Sequence, residues 1–262
     1  MDFTGQVAIV TGSSAGIGAD AALGFASRGG KVVVNFASNQ AAGDAIAAKC
    51  KQLGGDAIVV GADVSVDENC KKLVEAAMDT WGQLDIVVNN AGTTKFMDHD
   101  NLEGLNKTDF EDIYALNLIG PYQMVKQARP YLKNSAAPSV VNISSVAGVR
   151  GIGSSIAYSA SKGALNSTTM ALARALGKDK IRVNAVCPGF VGTDWFRNAL
   201  GEETFNAISD AQRQMTPMDQ VAGSADITGP ILFFASRDSQ HVTGQLLVVD
   251  GGMLLGLSLI HI

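Results

Sequence analysis

Seven short runs rich in valine and isoleucine recur along the chain, at residues 7–11, 31–35, 57–62, 84–89, 140–144, 182–187 and 246–249. Each is continuously apolar and shows little polar–apolar alternation. A strand with one wet face alternates; a strand without alternation must be covered on both faces. Segments of helical length separate the runs, so the pattern is strand, helix, strand throughout. That alternation specifies an α/β fold: a doubly wound parallel sheet of about seven strands with helices on both faces. At 262 residues, 47% hydrophobic and 17% charged, the chain suits one large α/β domain, expected over residues 1–255.

Helix starts are expected at two capping-box patterns, Ser65-Val66-Asp67-Glu68 and Thr108-Asp109-Phe110-Glu111. The second would open a helix over 108–133, with Asn117 inside it. The final residues, 256–262, form an apolar tail without caps or a periodic face. They read either as a translated sequencing-adapter scar or as a subunit-interface tail.

The first strand runs into Thr11-Gly12-Ser13-Ser14-Ala15-Gly16-Ile17-Gly18, followed by an alanine-rich helix. Glycines at such a turn let the backbone approach a pyrophosphate. The helix N-terminus then offers unpaired N–H groups and the positive end of its dipole. The spacing is G-x-x-x-G-x-G, distinct from the general G-x-G-x-x-G fingerprint. Its place after the first strand of an α/β pattern identifies a Rossmann-type dinucleotide site.

Tyr158 and Lys162 stand four apart in a segment that reads as helix. Such residues share a face. A lysine ammonium there can stabilise a tyrosinate and lower a phenol pKa that is ordinarily about 10. The tyrosine could then exchange a proton with an alcohol or ketone near neutral pH. Asn117, between Leu116 and Leu118, reads from its neighbours as a buried hydrogen-bonder.

Taken together, Thr11–Gly18, Asp63-Val64, Asn90-Ala91-Gly92, Asn117, Ser145, Tyr158/Lys162 and Pro188-Gly189 resemble the short-chain dehydrogenase/reductase family, in its branch of about 250 residues with a Y-x-x-x-K active site. The resemblance runs from about residue 3 to 252. It implies that Gly12, Ser13, Ser14, Gly16, Ile17 and Gly18 cradle a nicotinamide dinucleotide, and that Asp63 and Val64 hold its adenine. Asn90, Ala91 and Gly92 would flank the cofactor, with Pro188, Gly189 and Thr193 along the nicotinamide. The family spacing points to Ser145, not Ser144, as the hydroxyl that bonds the substrate oxygen. It makes Tyr158 the general acid/base and Lys162 a ligand of the nicotinamide ribose. Asn117, on this resemblance, holds a water connecting Lys162 to solvent.

Cofactor choice is expected at the end of the second strand. An NAD enzyme usually carries a carboxylate there for the ribose 2′-hydroxyl. This chain has Asn35, then Phe36-Ala37-Ser38-Asn39, with no carboxylate before Asp44. Asn35, Ser38 and Asn39 would give neutral hydrogen bonds to a 2′-phosphate, which favours NADP(H) over NAD(H). Three loops are expected to supply an apolar substrate pocket: Thr94, Phe96, Ile152, Phe190, Trp195, Phe196 and Met215. Residues 194–217 read as a lid with Gly201 as a hinge, and His99 and His241 as surface or structural.

The expected activity is an NADP(H)-dependent interconversion of a ketone or aldehyde and an alcohol. Alternatives are a 3-oxoacyl-thioester reductase, other chemistry on the same cofactor such as double-bond reduction or epimerisation, and a catalytically silent cofactor-binding regulator. A thioester reductase acting on an acidic carrier would need a basic dock, for which Lys126, Arg129 and Lys133 are candidates. A net charge of −5 and the lack of basic runs argue against nucleic acid. No metal-ligand spacing appears. Without a leader-like n-region or membrane-length apolar stretch, and with three cysteines (Cys50, Cys70, Cys187), a cytoplasmic protein with reduced thiols is expected. Family resemblance implies a homotetramer or homodimer through helices near 108–133 and 158–178, where Phe110, Ile113, Val125, Leu165, Met170 and Leu172 look surplus to one core-facing stripe.

Overall fold

The computed structural model describes residues 1–256; most of the tail singled out above, 257–262, lies outside the described residues. In chain order the elements are β1 (Val7–Val10), α1 (Gly16–Ala26), β2 (Lys31–Phe36), α2 (Gln40–Gln52), β3 (Asp56–Gly61), α3 (Asp67–Trp81), β4 (Ile86–Asn89) and α4 (Lys107–Tyr114). A π-helical turn (Ala115–Ile119) joins α4 to α5 (Gly120–Leu132). There follow β5 (Ser139–Ile143), α6 (Ala147–Arg150), α7 (Ile156–Leu176), β6 (Arg182–Pro188), α8 (Asp194–Leu200), α9 (Glu202–Met215), α10 (Ser224–Ala235) and β7 (Leu246–Val249).

All seven strands are parallel, in the order β3-β2-β1-β4-β5-β6-β7. Successive side chains divide between the faces. Ala8 and Val10 join the core beneath α1, α2 and α10, with Phe25, Ile227 and Ile231. Val7 and Ile9 join the core beneath α3, α5 and α7, with Leu73, Met124 and Leu176. Both faces are therefore dry, as the unbroken apolar runs require. The strand order reverses between β1 and β4, and their carboxyl ends diverge there to leave the crevice where ligands of such sheets bind.

Two expected helix starts differ from the structure. Ser65 does not cap α3: its hydroxyl donates to Asp63 Oδ1 at 2.8 Å, and Val66 occupies the cap position without a side-chain bond. The box opening α4 is Asn106/Asp109, not Thr108/Glu111. Asn106 Oδ1 accepts from the Asp109 N–H (3.2 Å), and Asp109 Oδ2 accepts from the Asn106 N–H (2.9 Å). The expected continuous helix over 108–133 is interrupted by the π-helical turn, which contains Asn117.

Candidate active site

A cavity of about 1570 Å³ opens along the carboxyl ends of the strands, from the glycine loop to α9. Drug-sized ligand pockets are usually about 300–1,000 Å³, so this one has room for a dinucleotide beside a second molecule.

Its nucleotide end is built from backbone held by buried side chains. Thr11 Oγ1 accepts from the N–H groups of Asn90 (2.9 Å) and Ala91 (3.0 Å). Asn90 Nδ2 donates back to the carbonyls of Thr11 (2.9 Å) and Gly12 (3.2 Å). These bonds lock the β1 and β4 loops together. Gly12 has φ +62°, and a Cβ there would sit 3.0 Å from Ala91 Cα, so this approach needs glycine. α1 begins at Gly16 with no side-chain cap and no acid in its first turn. Its unsatisfied N–H groups and dipole end suit a phosphate, and Ser14, Gly16 and Ile17 line the cavity beside them. The residues present thus fit a dinucleotide.

Three expected nucleotide contacts are otherwise employed. Ser13 is fully buried, its hydroxyl donating to the Val10 carbonyl (2.7 Å) and accepting from the Asn35 N–H (2.9 Å). Gly18 packs against Asn90 and Gly12, away from the cavity wall. Asn35 borders the cavity, but its amide is spent: Oδ1 accepts from the Gly12 N–H (2.9 Å), and Nδ2 donates to the carbonyls of Phe36, Val60 and Ala62. It has no donor left for a 2′-phosphate. Ser38, Asn39, Asp63, Val64, Asn90, Ala91, Gly92, Pro188, Gly189 and Thr193 all line the cavity, joined by Ala15, Ala37 and Ala62.

Ser145, Tyr158 and Lys162 come together on the wall beyond Gly92. The Ser155 hydroxyl caps α7 by accepting from the Tyr158 N–H at 3.2 Å, which fixes where the tyrosine starts. Ser145 follows β5, and its Oγ accepts from the Ala147 N–H at 3.1 Å. Ser144 is buried, donating to the Lys162 carbonyl at 3.3 Å. Lys162 is buried, and its Nζ donates to the Ile143 carbonyl at 2.8 Å, 5.7 Å from the Tyr158 ring centre. Gly92 is tightly placed: a Cβ would lie 3.2 Å from Asn117 Oδ1 and 3.7 Å from Lys162 Nζ.

The electrostatics correct one expectation. Removal from water pushes the Tyr158 phenol up to about 12, against a smaller opposing effect of its hydrogen bond with Ser145. Burial pushes Lys162 down to about 8. The lysine, turned towards a backbone carbonyl, does not hold the phenol below 10 here. Asn117 is wholly buried: Oδ1 accepts from the Thr93 N–H (2.8 Å), and Nδ2 donates to the Thr93 carbonyl (2.9 Å) and to Ser161 Oγ (3.1 Å). Its side chain clamps the loop after Gly92 onto α7.

The far wall is apolar. Phe96, Ile152, Phe190, Trp195, Phe196 and Met215 line it. The rings form one cluster: Phe190–Phe196 and Trp195–Phe196 are each 4.8 Å between centres, and Phe96 lies 5.8 Å from both Trp195 and Phe196. Thr94 is not on the wall; its hydroxyl bonds Ser154 Oγ at 2.7 Å and ties the two loops. Phe205, within the expected lid, does not face the cavity: it is buried against Phe190, its ring covered by the Arg197 guanidinium at 4.3 Å. His99 does line the cavity, bonded to the Gly153 carbonyl at 3.1 Å.

Sequence reasoning missed Thr204, Ile208 and Gln212, which join Met215 on one face of α9. Their spacing of four, four and three is helical and was available as a signal. Met253 and Leu254 also line the cavity, and nothing local announces that.

A family model described as enoyl-(acyl carrier protein) reductase matches residues 12–254. Among curated relatives, a Streptomyces violaceoruber protein inferred to be ketoacyl reductase 2 of the granaticin polyketide synthase is 40% identical over 94% of this chain and 95% of its own. The 3-oxoacyl-[acyl-carrier-protein] reductase of Synechocystis is 34% identical over 96% and 98%. Among solved structures, a Burkholderia xenovorans protein assigned as a short-chain dehydrogenase/reductase superposes with TM-score 0.88 at 36% identity, covering 98% of this chain and all of its own (100%).

Proposed function

The chain belongs to the short-chain dehydrogenase/reductase family, and from that premise we propose that it reduces hydrophobic ketones or aldehydes with NADP(H), Tyr158 acting as the acid. NAD(P)(H)-dependent oxidoreduction at carbonyl and alcohol groups comes with membership. What carries the finer reading is one observation: Ser145, Tyr158 and Lys162 meet where a glycine-lined nucleotide crevice becomes an aromatic pocket.

A bound nicotinamide supplies the hydride in reduction and takes it in oxidation. Ser145 Oγ hydrogen-bonds the substrate oxygen and stabilises the charge that develops on it. Tyr158 gives that oxygen its proton in reduction and takes it back in oxidation. A phenol held up to about 12 stays protonated through neutral pH, the form reduction requires. The Lys162 ammonium favours the tyrosinate when it forms and bonds the nicotinamide ribose. Asn117 keeps residues 92–93 in register with α7.

NADP(H) is favoured on altered grounds. Asn35 is excluded as a donor, so the 2′-phosphate would meet Ser38, Asn39 and the start of α2. Asn39 spends its Oδ1 on the Ala42 N–H (3.0 Å), which leaves its Nδ2 as a donor. α2 carries no acid in its first turn, and its dipole end suits an anion.

The thioester reading has the relatives' names behind it. The expected basic dock is weakened: Lys126 pairs with Asp67 and Arg129 with Asp179, and of the three candidates Lys133 alone has no ion pair among the described residues. The homotetramer or homodimer rests on fewer residues than expected. Ile113, Val125 and Leu165 are buried in the chain's own core, while Ile119, Tyr122, Val149 and Met170 are exposed. Among the described residues no helix is long and apolar enough to cross a membrane.

The test is cofactor oxidation against a panel of aryl and alkyl ketones and acyl thioesters, with products identified and kcat/KM compared for NADPH and NADH. Aryl ketones turned over with NADPH preferred is the expected result. Turnover confined to carrier thioesters, or a strong NADH preference, overturns the corresponding half of the reading.

A further inference from the structure

Gln212 interrupts an otherwise apolar stretch of the cavity wall. It lies on the cavity-facing side of α9 between Ile208 and Met215, in the cavity that the Phe96, Trp195 and Phe196 rings also line. Its backbone carbonyl accepts from the Thr216 hydroxyl at 2.7 Å, which anchors the last turn of the helix. Its amide makes no hydrogen bond among the described residues. Oε1 is shut away from solvent without any hydrogen-bond donor. Buried amide oxygens are almost always bonded, and leaving one unbonded costs about 1–3 kcal/mol. A residue here with only a packing role would do better as leucine or methionine, like its neighbours on this face.

Relying on the ketone-reductase reading above, we propose that Gln212 is a specificity-determining residue that recognises a neutral hydroxyl on the substrate, at the end remote from the reacting carbonyl. As the side chain stands, Oε1 is closed off from the cavity as well, and a half-turn of the amide exchanges its two ends; a hydroxyl that meets it can both donate to Oε1 and accept from Nε2. An anionic group is not what this wall suits. Lys162 is the only lysine or arginine among the described cavity-lining residues, while Asp98 and Asp194 also line it. The substrate class is therefore a hydrophobic, ring-bearing ketone with a distal alcohol or phenol. The aromatic cluster holds the skeleton, and Gln212 reads the far end. Apolar pockets discriminate weakly between a ring and its hydroxylated analogue, whereas a buried polar partner rejects the analogue that lacks the hydroxyl.

The experiment uses the full chain and a series of phenyl-substituted methyl ketones of increasing tether length, each with and without a para-hydroxyl. The ratio of kcat/KM, hydroxylated over plain, is read for wild type, Gln212→Met and Gln212→Leu, with melting temperature alongside. Wild type should favour the hydroxylated member by about tenfold at one tether length. Both variants should bring that ratio to about one without a lower melting temperature. A ratio near one throughout the series in wild type overturns the inference while leaving the ketone-reductase reading intact. So does a preference that survives both substitutions. A fall in melting temperature with the ratio unchanged shows a structural glutamine. Failure to reduce any ketone with either cofactor instead overturns the reading beneath it, and the inference with it.

Discussion

On the nucleotide side of the cavity, polar side chains are buried and bonded. Asn35 and Thr11 tie the loop ends of β1, β2 and β4 through backbone groups far apart in sequence, and Asn117 does the same for the loop after Gly92. On the lid side, α8 buries no residue and α9 buries Phe205 alone. Beyond the aromatic cluster, the lid is held by surface ion pairs, Arg197 with Asp194 and Glu202, and Arg213 with Asp219. Exposed pairs of this kind contribute about 0–1 kcal/mol each. One wall is pre-organised for a cofactor of constant shape; the other is loosely fastened, as suits a surface that opens and closes on varied substrates.

Four experiments can break or sharpen that contrast. The largest effect should come where the walls meet. Tyr158→Phe keeps the ring and removes the proton, so kcat should fall by roughly a thousandfold, with the dissociation constant for NADPH almost unchanged by fluorescence titration. Retention of a large fraction of kcat would remove Tyr158 as the acid.

On the rigid wall, Asn35→Asp should act on stability. A carboxylate can still accept from the Gly12 N–H but offers no donor to the carbonyls of Phe36, Val60 and Ala62. The cost should be about 3 kcal/mol, lowering the melting temperature by about 10 °C in a chain of this size. An unchanged melting point with a switch to NADH would mean that the side chain is free to meet the ribose.

Proton linkage probes the junction more gently. Lys162 is pushed down from 10.5 to about 8 by burial. Between those values the unfolded chain binds more protons than the folded one, so stability should rise with pH. Tyr158 is pushed up from 10.0 to about 12. There the folded chain binds more protons, and stability should fall as pH rises. Each slope is at most about 1.4 kcal/mol per pH unit. Denaturation midpoints should lose the rise in Lys162→Met and the fall in Tyr158→Phe. Parallel pH curves for all three proteins would show that neither group is perturbed.

The smallest structural effect is expected on the lid. Trp195 is 41% exposed, with its ring beside those of Phe96, Tyr158 and Phe196, so Trp195→Ala should shift the melting temperature by no more than about 3 °C. KM should rise several-fold for bulky ketones and little for small ones. A large loss of stability with equal KM effects would make Trp195 a core residue and end its role as a wall of the pocket.

Repeated local patterns were legible without a structure. Seven apolar runs, a glycine loop after the first, and a tyrosine and lysine four apart each carry their meaning within a few residues, because backbone geometry and side-chain periodicity act at short range. They determined the doubly wound sheet and its strands to within one or two residues at each end. They also pointed to the glycine loop and to the Tyr158 helix that the fold brings to the cavity. Three matters were decided only by the tertiary structure. Asn35 was misread as a cofactor ligand because its partners, Gly12, Val60 and Ala62, come from two other strand ends. Ser13 turned inward for the same reason, to serve Val10 and Asn35. The capping residue at Asn106 depended on where the preceding loop allowed α4 to begin. Hydrogen bonds between distant segments exist only once the sheet has brought those segments together. Whether a polar side chain faces the cavity or holds up its wall was therefore settled by the assembled fold.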